Sequence, residues 1–140
     1  MQFKILLSNL YYLLVHEDGQ VNDKEVASGF SMAAAEGIPE AELKIQLEFL
    51  KNKNSPEILR ECLMAIKKLN RKQQIRCVAW MCVIANADGF MDKAEWHFIY
   101  QLYHKELNLP LDEIMKIQKD LNTSFRERSS SFRPVKVAAA

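Results

Sequence analysis

The sequence predicts an all-α protein, a single globular bundle of about seven helices with an internal pseudo-twofold helix–turn–helix repeat. Three observations point there. Apolar residues recur at helical spacing through most of the chain, and no strand-like alternation appears. Helix start and stop signals divide the sequence into segments of ordinary helix length. Two stretches, Leu14–Glu25 and Ile84–Glu95, each end an apolar run in Asp-Gly and place a Glu six positions after the Gly. Asp18 and Asp88, Gly19 and Gly89, and Glu25 and Glu95 are each 70 residues apart. The chain has only four glycines, so the recurrence of two in one frame argues for duplication rather than chance.

The first helix covers Phe3 to His16 and is apolar on several faces, through Phe3, Ile5, Leu6, Leu7, Leu10, Tyr11, Leu13 and Leu14. Asn22 opens the second as an N-cap, with Glu25 completing a capping box, and Gly37 stops it. Pro39 opens a third helix with Leu43, Leu47 and Leu50 along one stripe. Ser55 and Pro56 read as N-cap and first residue of a fourth, which carries Ile58, Leu59, Leu63, Ile66 and Leu69. The fifth begins on Arg71, Lys72 and Arg76 and turns almost wholly apolar from Cys77 to Ala85, so it is the second central helix. Asp92 and Glu95 repeat the capping-box pattern for the sixth, which carries Trp96, Ile99, Tyr100, Leu102 and Tyr103. Asn108-Leu-Pro110 then matches Gly37-Ile-Pro39 at an offset of 71, and a last helix from about Leu111 turns Ile114, Ile117 and Leu121 inward. Residues 1–125 form the helical domain, and the polar, basic segment 126–140 reads as a mobile tail.

Bulk properties narrow the function. A net charge of +1 gives no global case for nucleic-acid or membrane binding. The longest apolar run is far too short to span a bilayer, and the apolar N-terminal stretch lacks the features of a cleaved signal. Three cysteines, Cys62, Cys77 and Cys82, fall inside helices at spacings unsuited to a metal or redox pair, which fits reduced thiols and a cytoplasmic location. No Gly-rich phosphate loop and no Ser-His-Asp constellation is present.

The acidic turns are the candidate site. With Gly19 and Gly89 set at position 6 of an EF-hand loop, Asp18 and Asp88 fall at position 5, Asn22 and Asp92 at 9, and Glu25 and Glu95 at 12. The first half of the loop is not reproduced, because position 1 is Leu14 or Ile84 and position 3 is His16 or Asn86. One copy alone offers too few hard oxygens for tight calcium binding, and helix capping explains its polar residues without a metal. Convergence of the two turns would gather Asp18, Glu25, Asp88, Asp92 and Glu95, whose mutual repulsion a divalent cation would relieve, or Lys24 and Lys93 in its place.

The doubled unit, with Asn-Ala-Asp-Gly at Asn86–Gly89 as its closest match, resembles the tellurite-resistance TerB-like domains over roughly Phe3 to Leu121. These domains also occur as a module in membrane-anchored DnaJ-like co-chaperones. The resemblance implies a bacterial cytosolic bundle whose turn acids, here Asp18, Glu25, Asp88 and Glu95, bind divalent cations. It also implies a role in stress and metal-oxyanion resistance by binding rather than catalysis. His16-Glu17 stands where the family commonly has Ala or Ser before the Asp.

The expected function is therefore a non-catalytic module that binds a divalent cation, calcium first, and orders a surface for an unidentified protein partner. The alternative is a metal-free interaction bundle in which the acids only cap helices. A metal-dependent hydrolase lacks an identifiable base or nucleophile. His16 reads as a helix-end cation rather than a ligand, and His97 and His104 as a solvated face. Lys67, Lys68, Arg71, Lys72 and Arg76 form a basic cluster without the aromatic interleaving of a nucleic-acid surface. The oligomeric state is not legible.

Overall fold

The computed structural model describes residues 1–17, 19, 21–87, 89 and 92–123. Among them every regular element is helical: α1 (Phe3–Val15), α2 (Asp23–Ala35), α3 (Glu40–Leu50), α4 (Ser55–Lys67), α5 (Arg71–Ala85), α6 (Lys93–Tyr100) and α7 (111–123). α6 runs directly into a π-helical turn at Gln101–Glu106. Segment 126–140 lies outside the described residues.

The core follows from the two most apolar helices. Leu6, Leu7, Leu10 and Leu14 of α1 and Val78 through Ala85 of α5 are buried, with Trp80 fully enclosed. Each Leu, Ile, Val or Met among them contributes about 1.5–3 kcal/mol when it leaves water. Ile58, Cys62 and Ile66 of α4, Ile99 of α6 and Ile114 and Leu121 of α7 close the same cluster. All three cysteines are buried free thiols, and burial pushes Cys62 and Cys82 up to about 12, as expected of inert core groups.

The duplication is visible in the packing. α2 and α6 each pack on both α1 and α5, so each unit's second helix touches both central helices. Gly37 and Asn108, paired at the offset of 71, both adopt left-handed backbone, with φ of 73° and 51°.

The step in offset from 70 to 71 has a structural cause. In the first unit Glu36 N–H donates to Met32 C=O at 2.9 Å, an α-helical bond. In the second, Leu107 N–H donates to Leu102 C=O at 3.1 Å, one residue further back. Likewise Ile38 N–H reaches Ala33 C=O at 2.7 Å, whereas Leu109 N–H reaches Tyr103 C=O at 2.8 Å. The acceptors match at 70 and the donors at 71, so the extra residue is absorbed by the π turn.

Two helix starts differ from the sequence reading. The N-cap of α4 is Asn54, whose side chain accepts from Glu57 N–H at 2.8 Å, and Ser55 is already helical. Asn54 reaches three residues on and satisfies the orphan Glu57 N–H of the first turn, while Pro56, lacking an N–H, adds no orphan of its own. At α6, Asp92 accepts from Ala94 N–H at 2.8 Å, so its cap bond goes to the second helical position rather than to Glu95.

Candidate functional site

Each turn begins where a central helix ends. After α1, Glu17 N–H donates to Leu14 C=O at 3.2 Å and Gly19 N–H to His16 C=O at 3.2 Å. After α5, Ala87 N–H donates to Ile84 C=O at 3.1 Å and Gly89 N–H to Asn86 C=O at 2.9 Å. Gly19 and Gly89 have φ of 79° and 84°. Nothing lies within 4 Å of a Cβ built at either, so backbone conformation and not crowding calls for glycine. Over their described residues the two turns match in these bonds and in the backbone of their glycines.

The helices that follow carry the acids. Asn22 Oδ1 accepts from Glu25 N–H at 2.8 Å and Glu25 Oε1 accepts from Asn22 N–H at 3.1 Å, a complete capping box. Glu25 and Glu95 are each only 3% exposed, which is unusual for a carboxylate. Tyr11 Oη donates to the Glu25 carbonyl at 3.1 Å, tying α1 to the start of α2. Burial, and secondarily the Glu25 charge, pushes the Tyr11 phenol up to about 12.

Asp18 and Asp88, two of the expected ligands, lie outside the described residues. Of the other three, Glu25 and Glu95 occupy matching buried positions and Asp92 caps α6. Among the described residues no three His, Cys, Asp or Glu side chains gather closely enough to hold a metal ion. The donors on hand are carboxylate and amide oxygens, a set that suits a hard divalent cation and not a thiophilic one.

The structure adds one acid that spacing did not single out. Glu17, on the first turn, lines an open depression with Asp92, Lys93, Trp96, His97 and Tyr100 of the second unit. Partial burial holds its carboxyl above the usual range, and the facing His97 opposes that shift. The first turn thus abuts the start of α6, a contact between sequence-distant units that no local pattern encodes. His16 points elsewhere: its Nδ1 bonds the Tyr12 carbonyl at 2.7 Å and its ring lies against Tyr12. His104 stacks on Tyr100 with ring centroids 4.8 Å apart.

An all-helical fold built from two apolar-helix, acidic-turn units defines a duplicated helical module. The family model of the tellurite resistance protein TerB matches residues 5–119, and the chain belongs to that family. Comparison with curated proteins and with solved structures found no match. Among the described residues no helix is long and apolar enough to cross a membrane.

Proposed function

We propose that this chain is a non-catalytic TerB module that binds a divalent cation, calcium first, at its acidic turns and acts through a protein partner in stress and metal-oxyanion resistance. The observation that carries the reading is the pair Glu25 and Glu95, two almost fully buried carboxylates six residues after two glycines of matching left-handed backbone. A carboxylate is seldom this buried, and its recurrence at the matching place of both units argues for a shared purpose. The C-terminal ends of α1 and α5 point their carbonyl dipoles at the turns and favour positive charge there. Asp18 and Glu25 on the first turn, and Asp88, Asp92 and Glu95 on the second, would supply the ligands. A bound cation would offset their charge, while Asn22 and Asp92 keep the following helices in place. Tellurite itself is an oxyanion that these acids repel, so direct capture of it at the turns is not part of the proposal.

The second reading is a metal-free interaction bundle, and the complete Asn22–Glu25 capping box favours it, because that box uses Glu25 without an ion. Titration with calcium, magnesium, manganese and zinc separates the two. Trp96, exposed beside Glu17 and Asp92, reports by fluorescence, and thermal shift reports stabilisation by mass action. The proposal expects a saturable response that Asp88→Asn with Glu95→Gln abolishes. No response to any cation, or an equal one in the double variant, leaves the capping reading.

A further inference from the structure

The N-terminal end of α5 carries a second candidate site, unrelated to the acids. A cleft of about 460 Å³ between α5 and α7 is lined by Arg71, Lys72, Arg76 and Lys116, with Ile75 and Ile117 as apolar lining and Glu113 as the one carboxylate among the described residues. The chain as a whole is nearly neutral, with 19 basic and 18 acidic residues, so this concentration of cations is local and not a bulk property. α5 spans about 22 Å at 1.5 Å per residue, which puts the cleft and the second acidic turn at opposite ends of one helix. The dipole of α5 favours an anion at this end as it favours a cation at the other.

From this we infer that the α5–α7 cleft binds an amphiphilic organic anion, a phosphate or carboxylate head on an apolar body. Lys72 and Lys116 reach the head from the two helices, and Ile75 and Ile117 take the body. Arg76 is held by Glu36, whose carboxylate is largely buried, through Nε at 2.5 Å, so it contributes field more than a free donor. Arg71 is different. Its pair with Glu113, at 3.1 Å, joins two side chains that are half exposed or more. Such a pair is worth about 0–1 kcal/mol, so a competing anion can displace Glu113 and take the guanidinium. The volume suits a small molecule or one lipid chain segment rather than a folded partner. Segment 126–140, with Arg126, Arg128, Arg133 and Lys136 against Glu127, has the same sign as the cleft and offers it no complementary charge.

Calorimetry on the full chain tests the inference with monomeric octyl phosphate, inorganic phosphate and octyl glucoside as probes. Octyl phosphate should bind saturably, inorganic phosphate at least tenfold more weakly, and octyl glucoside not at all. Shortening the alkyl chain should weaken binding about two- to fourfold per methylene. Lys72→Gln with Lys116→Gln should raise the Kd at least tenfold. Glu113→Gln, which removes the competing carboxylate, should lower it several-fold. Melting curves for each variant separate a lost site from a lost fold. Sedimentation with phosphatidylglycerol vesicles distinguishes the source of the anion: retention that the lysine variant loses marks a lipid headgroup, and binding of monomer alone marks a free ligand. No binding by any anionic probe, phosphate binding as tight as octyl phosphate, or charge variants that bind like the native protein would overturn the inference.

Discussion

Gly29→Ala is the sharpest test of the packing between α1 and α2. A Cβ at Gly29 would lie 2.4 Å from Tyr11 Cζ, 2.6 Å from Cε1 and 2.7 Å from the hydroxyl. The ring is 4% exposed and its hydroxyl is committed to the Glu25 carbonyl at 3.1 Å, so it has nowhere cheap to go. Overpacking of this kind costs about 1–3 kcal/mol. Loss of the hydrogen bond adds about 0.5–1.5 kcal/mol. Alanine in a helix interior returns about 0.5–1 kcal/mol. The net expectation is destabilisation of about 1–3 kcal/mol, read from urea unfolding midpoints at unchanged slope. The second unit suggests the rescue. At the equivalent offset it holds Met81 opposite Ile99 in the repeat, both fully buried, so the small residue has become large and the ring has become a thioether. Tyr11→Met with Gly29→Ala should therefore be more stable than the sum of the two single changes, by about 1 kcal/mol or more. If Gly29→Ala alone matched or exceeded the native stability, the close approach of Tyr11 to α2 would be refuted.

Three further expectations follow from the same geometry. Asn54→Ala should cost about 1 kcal/mol in chemical unfolding, whereas Ser55→Ala should cost under about 0.5 kcal/mol, because Asn54 and not Ser55 caps α4. The Tyr11 phenol is raised from 10.0 to about 12, so its contribution is complete below pH 10 and is lost as pH climbs through 12; the loss is about 2–3 kcal/mol. Tyr11→Phe should show a correspondingly shallower fall in stability over that window, with the buried cysteines titrating in both proteins. Deletion of Lys105, an exposed residue of the π turn, should convert the turn to α-helix and leave the circular dichroism of a folded bundle; a deletion inside α5 should not.

Much of this fold was legible because its punctuation is local. Asn22 with Glu25, Gly37, Pro39 and Gly89 each act on their immediate backbone, and a constant offset exposes duplication without any knowledge of packing. Asn54 and Ser55 are both good caps, and only the reach to Glu57 chooses between them. The π turn left a trace, the change of offset from 70 to 71, but an inserted residue could as well have lengthened a loop. The meeting of Glu17 with α6 and the fit of Tyr11 over Gly29 join distant segments, and no spacing rule contains them. For the candidate site, the sequence named Glu25 and Glu95 from the frame alone. Their near-complete burial is a tertiary result.

Calcium calorimetry on the full chain decides whether these turns hold a cation. Saturable binding is expected, and Glu95→Gln should weaken it more than Glu25→Gln, because the second turn offers Asp92 where the first offers Asn22. The combined variant should show no binding while still melting cooperatively. Absence of calcium binding by the native chain, or undiminished binding by the combined variant, would contradict it.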